Sequence, residues 1–187
     1  MERSRIVFSG SGGQGVITAS IILAEAAVMY ENLNAVQSQS YGPEARGGAT
    51  RADVIISDTA IHFPKVIQPN VLICLTQQAY NKFSWTIRPG GLLLTDSHFV
   101  KHERKVDARQ VGLGMYKAVM ETIGNPVVFN ICVLGAMLGL IPLMQTESII
   151  KVLEKKIPAG FVDMNRQALE LGLSLVEAAG MKGQTLF

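Results

Sequence analysis

Charge is scarce in this chain. Only 17% of its 187 residues are Asp, Glu, Lys or Arg, and the formal net charge is +2. Aromatic residues reach only 6%, with a single Trp. Nucleic-acid binding needs clustered basic residues and stacking rings, so both shortages argue against it. Cysteine is almost absent: Cys74 and Cys132 stand inside apolar runs, with no CxxC and no partner spacing. That excludes cluster or zinc ligation and reads as two core thiols of a reduced, cytoplasmic protein. The longest apolar stretch, Val127 to Met144, is interrupted by Asn130, Gly135, Gly139 and Pro142 and lacks cationic flanks. It reads as buried helix and not as a bilayer span, so no membrane is expected. Met1-Glu2-Arg3-Ser4-Arg5 leads straight into a strand-like run, so no secretory leader is expected.

What the chain has instead is apolar surface and glycine. Hydrophobic residues make up 48% and the mean hydropathy is +0.27. One domain of this length buries roughly two thirds to three quarters of its unfolded surface. The apolar excess over that need is expected to cover an interface. One domain is expected over residues 1–180, with 181–187 as a flexible tail; no repeat, linker or low-complexity segment interrupts it.

The pattern predicts an α/β domain. Residues 4–9 read as a buried strand and Gly13–Tyr30 as a nearly all-apolar helix, which must be covered on most of its surface. A second strand falls within 35–39. Thr50–Ser57 alternates, with Ala52, Val54 and Ile56 one way and Arg51, Asp53 and Ser57 the other, as at an edge or between antiparallel neighbours. Val71–Leu75 and Leu92–Thr95 read as central parallel strands, with a helix over 77–87 between them. The last third is helical: 115–123, 130–140, a helix capped by Thr146 and ended by Pro158, and one carrying Phe161, Met164, Ala168, Leu171, Leu175 and Ala178 on one face. The architecture expected is a single three-layer, Rossmann-like domain with a mostly parallel, mixed sheet and a helical C-terminal third.

Gly10, Gly12 and Gly15 satisfy GxGxxG between the first strand and the first helix, with Gly13 and Gln14 inside the turn. Missing Cβ atoms let such a turn approach a diphosphate, and the amides at the helix start favour an anion. A NAD site needs an acid about 20 residues on, at the end of strand two. Ala35-Val36-Gln37-Ser38-Gln39-Ser40 supplies none. Close strand–helix packing, or an anion site without a dinucleotide, is therefore favoured over a dinucleotide pocket. Walker A is excluded, because no Lys-Ser or Lys-Thr follows.

Tyr41-Gly42-Pro43-Glu44-Ala45-Arg46-Gly47-Gly48 forms a second loop, rigidified by Pro43 and able to turn sharply at Gly47-Gly48. Glu44 and Arg46 can pair with each other or face a partner carboxylate or phosphate. Such a loop reads as a recognition element.

Three segments taken together, Gly-Ser-Gly-Gly-Gln-Gly at 10–15, Ser-Tyr-Gly-Pro-Glu-Ala-Arg-Gly-Gly at 40–48 and Ala-Asp-Val-Ile-Ile-Ser-Asp at 52–58, resemble the gamma subunit of 2-oxoacid:ferredoxin oxidoreductases. The 2-oxoglutarate type is the nearest, and pyruvate, branched-chain and indolepyruvate enzymes have similar subunits. The resemblance continues through Arg88-Pro-Gly-Gly91, Gly124-Asn-Pro and Asn130 to Gly135-Ala136, and covers roughly residues 5 to 180. It implies a complex that converts a 2-oxoacid, coenzyme A and oxidised ferredoxin to acyl-CoA, carbon dioxide and reduced ferredoxin. Thiamine diphosphate with Mg2+ and iron–sulfur clusters are implied in the alpha, beta and ferredoxin-like delta subunits, with none in this chain and ferredoxin reached through the complex. The chain would pack on the thiamine-binding subunits and help form the coenzyme A entrance, with the 10–15 turn and Arg46 as anion or interface contacts. Expressed alone, it could form a homodimer through the surface meant for partners. Two alternatives stay open: a stand-alone nucleotide-binding dehydrogenase, and a coenzyme A- or nucleotide-binding module.

The remaining candidates have plain readings. His98 and His102, near Asp96 and Glu103, read as a solvated loop and not as a metal site. His62 reads as a surface residue. Met115, Met120, Met137 and Met144 read as core or interface fillers.

Overall fold

Arg5-Ile6-Val7-Phe8 lies in the middle of the fold. In a computed structural model that describes residues 3–40 and 48–181, this run belongs to strand β1 (Ser4–Gly10), with Ile6, Val7 and Phe8 fully buried. Helix α1 (Val16–Tyr30) follows, then β2 (Asn34–Gln39), β3 (Thr50–Ser57), β4 (Val71–Cys74), helix α2 (Gln77–Phe83) and β5 (Gly91–Asp96). The last third holds β6 (Ala108–Leu113) and helices α3 (Met115–Thr122), α4 (Phe129–Leu140), α5 (Thr146–Lys156) and α6 (Ala159–Ala178).

The six strands form one sheet in the order β2-β3-β1-β4-β5-β6. β1, β4, β5 and β6 pair in parallel, whereas β3 pairs antiparallel with both β1 and β2. β3 is thus interior, and the alternation of its side chains reflects its antiparallel neighbours. Its polar face is covered too. Arg51 pairs with Asp53 at 2.7 Å, donates to the Val66 carbonyl and lies over the Phe83 ring.

The two faces of the sheet are unequally covered. On one, Ile6, Phe8, Val54, Ile73, Leu94 and Val111 pack under α1 and the four C-terminal helices. On the other, Val7, Ile55, Leu72 and Leu93 meet only α2 and the connecting segments around Val66 and Val100. All twelve residues of α4 are buried. Gly135 and Gly172 let α4 and α6 touch backbone to backbone: a Cβ on Gly135 would press on the Leu169 carbonyl, and one on Gly172 would lie 2.6 Å from the Ala136 nitrogen. Much of the apolar composition is spent inside, on a helix that sees no solvent.

Several boundaries differ from the sequence expectation. α1 starts at Val16 and not at Gly13, because Gly13 and Gly15 hold φ of +89 and +70, outside the helical well. α2 stops at Phe83 and gives way to a single 3-10 turn, Ser84–Thr86, with Trp85 exposed. Thr146 is the first residue of α5 and not its cap. The Gln145 amide and the Ser148 hydroxyl instead donate to Glu31 Oε1, at the far end of α1. β6 is unanticipated: only Val111 and Leu113 of its six residues are buried, too weak a pattern to see until β5 supplies its ladder.

Candidate functional site

In open α/β sheets, ligands bind outside the carboxyl ends of the strands, where the chain turns to opposite sides of the sheet. Here that point lies between β1 and β4, because the chain passes from β1 to β2 and β3 on one side and then to β4 on the other. The turn over 10–15 stands at this position, and a side chain fills the crevice. Gln14 Oε1 accepts the Ser11 amide at 2.8 Å, and Gln14 Nε2 donates to the Leu75 carbonyl at 3.2 Å. The turn is braced from inside the chain. Gly15 is required twice over, since its φ is +70 and a Cβ would sit 2.7 Å from Asn130 of α4.

The sheet order removes the geometry of a dinucleotide site. Such a site needs the strand after the first helix to lie parallel beside β1, so that its terminal acid faces the ribose. Antiparallel β3 occupies that place, and β2 is one strand further out. The end of β2 reaches the cleft beside the turn only through Gln39 and Ser40, one strand further from β1 and without an acid.

Gly12, Gly13, Gln14 and Gly15 form one surface at the start of α1, with Gly10 buried under the Gln14 side chain. Gly48 precedes β3, whose first residue Thr50 is registered against Gly10, and the Ser40 amide donates to the Arg51 carbonyl. Both ends of the second loop therefore come to this end of the sheet. Tyr41, Gly42, Pro43, Glu44, Arg46 and Gly47 lie outside the described residues.

Two clefts flank the α1 start. One, of about 450 Å³, runs from Ser11 and Gly12 to Gln39, Ser40 and Thr50. The other, of about 400 Å³, lies on the α4–α6 side between Gly13, Thr18, Val127, Ile157 and Phe161, with Asn130 and Asn165 in its wall. Sequence reasoning passed over Asn165, because a buried polar residue in an amphipathic helix shows no distinguishing period.

Asp96, which the sequence offers only as a neighbour of His98 and His102, ends β5. It is fully buried, and its carboxylate accepts the amides of Tyr116 (2.7 Å) and His98 (2.8 Å), tying the start of α3 to the sheet. Burial raises its pKa, against the opposing pull of those amides and of His98. The His98 ring stacks on Tyr116. His102 Nε2 lies 2.8 Å from Thr95 Oγ1, and its ring stacks on Tyr80; burial lowers its pKa. Both histidines are exposed loop residues, as expected, with each ring packed on a tyrosine. Cys74 and Cys132 pack into the cores on opposite faces of the sheet, and burial raises both thiols, Cys132 to about 12. The pair does not fit a shared iron–sulfur cluster.

The sequence profile of the family described as pyruvate ferredoxin/flavodoxin oxidoreductase matches residues 5–175. The chain belongs to this family. Among relatives in the pyruvate ferredoxin/flavodoxin oxidoreductase family, it is 42% identical over 177 residues to the 2-oxoglutarate synthase subunit KorC of Methanocaldococcus jannaschii, covering 94% of this chain and 95% of that one. The crystal structure of a keto/oxoacid ferredoxin oxidoreductase gamma subunit from Geobacter sulfurreducens superposes with a TM-score of 0.84 at 40% identity, over 94% of this chain and 99% of that one. A 2-oxoglutarate:ferredoxin oxidoreductase from Magnetococcus marinus, solved with 2-oxoglutarate, coenzyme A and succinyl-CoA bound, has a TM-score of 0.85 at 21% identity. That match covers 95% of this chain and 32% of the other, a likeness of fold alone. A stand-alone dehydrogenase is not favoured. Among the described residues, no helix is long and apolar enough to cross a membrane.

Proposed function

We propose that this chain is the gamma subunit of a cytoplasmic 2-oxoacid:ferredoxin oxidoreductase, with 2-oxoglutarate as the 2-oxoacid. The observation that carries this reading is the end-to-end match, at 42% identity, to a protein that is itself one subunit of a 2-oxoglutarate synthase. The sheet order supports it against the dinucleotide alternative, since antiparallel β3 separates β2 from β1.

The complex would convert 2-oxoglutarate, coenzyme A and oxidised ferredoxin to succinyl-CoA, carbon dioxide and reduced ferredoxin. Thiamine diphosphate with Mg2+ and iron–sulfur clusters belong to the alpha, beta and delta subunits in this reading, and supply the decarboxylation and electron-transfer chemistry there. The part of this chain is to bind and position. Its surface at the carboxyl end of the sheet, with the 10–15 turn and the loop through Arg46, packs on the thiamine-binding subunits and helps form the coenzyme A entrance. Amides at the α1 start and the Arg46 guanidinium suit the phosphates of that substrate.

Anaerobic purification from the source tests the reading. Co-purification with brown, thiamine-containing subunits, and dye reduction that depends on 2-oxoglutarate and coenzyme A, are the expected results. A colourless chain that purifies alone and drives no such reduction would overturn it.

A further inference from the structure

The groove between the α1 start and helices α4 and α6 is built differently from an anion site. Asn130 and Asn165 are only 7% and 6% exposed, yet both lie in its wall. Each carboxamide is oriented by a carbonyl of its own chain: Asn130 Nδ2 donates to Gly15 O at 3.3 Å, and Asn165 Nδ2 to Phe161 O at 2.8 Å. With the nitrogens so committed, each Oδ1 turns away from its carbonyl. Neither Oδ1 accepts a hydrogen bond from the described chain, and neither is sealed from solvent. Two acceptors are thus held ready for donors.

Among the described residues, no charged side chain lines this groove. An ion brought into it would lose water without gaining a counter-charge, at a cost of several kcal/mol. Two unpaired amide oxygens in its wall also oppose an anion, despite the nearby helix start. The rim is apolar and exposed: Val127 is 65% exposed and Phe161 48%. A fitting occupant therefore brings N–H donors, no net charge and apolar side chains.

We infer that this groove receives an uncharged, extended main-chain segment of a partner subunit. Its backbone amides donate to Asn130 and Asn165, and an apolar side chain lies between Val127 and Phe161. Main-chain donors with apolar anchors are the usual currency of peptide recognition. A nucleobase would satisfy the two acceptors but leave the apolar rim largely wet. The inference rests on the subunit reading above.

The test is hydrogen exchange of the chain, alone and after assembly with the other purified subunits of its oxidoreductase. Peptides covering 124–131 and 157–165 are expected to exchange at least tenfold more slowly in the complex. A Val127→Ser, Phe161→Ser double variant alters only exposed positions. It is expected to keep the Tm of the free chain while its affinity for the other subunits falls at least tenfold. If the complex assembles and those peptides exchange as in the free chain, the groove assignment falls while the subunit reading stands. If the chain does not assemble with those subunits, both fall. Protection of the same peptides by millimolar adenosine in the free chain, without protection in the complex, would make the groove a small-molecule site and overturn the inference.

Discussion

Gly135→Ala adds one carbon to a helix interior, where alanine ordinarily stabilises by about 0.8–1 kcal/mol. Here the sign should reverse. The new Cβ would press into the Leu169 carbonyl oxygen of α6 and lie 3.0 Å from its carbonyl carbon. That neighbour is backbone, so it cannot yield by a rotamer change, and α6 must move away from α4 as a body. Overpacking of a close-packed core costs typically 1–3 kcal/mol, and a backbone obstacle places this case at the upper end. Subtracting the propensity gain leaves a net loss of about 2 kcal/mol, or roughly 4–8 °C in Tm for a chain of this size. Gly160→Ala is the control. It lies in the first turn of α6 with no atom within 4 Å of the added carbon, so the same substitution should raise Tm, by up to about 3 °C. Thermal unfolding of the three proteins at one concentration decides the matter. A Gly135→Ala Tm equal to or above that of the wild type would refute the backbone-contact reasoning.

Asp96 gives a prediction in pH. Its folded-state pKa is raised, so the folded chain holds this proton more tightly than the unfolded one. Stability from this group is fully present below the unfolded value and is lost as pH rises through the raised one. Asp96→Asn removes that slope, so the stability of wild type minus variant should fall with rising pH in denaturant titrations; a difference that grows would contradict the assignment. Gln14→Ala deletes two hydrogen bonds at the turn and should cost about 1 kcal/mol or slightly more. It should still show no micromolar NADH binding by fluorescence, since β3 keeps β2 away from β1; tight NADH binding by either protein would refute the site reading. Arg46→Ala is expected to weaken assembly or raise the coenzyme A KM of the complex. Wild-type assembly, KM and kcat would remove the role proposed for that guanidinium.

Local pattern alone carries part of this fold. The apolar run before Gly10, the alternation over Thr50–Ser57, and the Gly91–Asp96 strand after its turn each carry their conformation in a short window. So does the opposition of charged and apolar faces along α6. The ordered glycine motifs were enough to indicate the family. Tertiary structure decided the rest. That β3 intrudes antiparallel between β1 and β2 depends on pairing between strands far apart in the chain, and no window contains it. β6 exists because β5 offers it a ladder. The start of α5 is held by Glu31, more than 100 residues earlier. Asn130 looked like an interruption in an apolar run, and Asn165 like one more polar residue on a helix. Only the meeting of α1, α4 and α6 puts both in the wall of one groove, because elements far apart in the chain must pack before their side chains can share a surface.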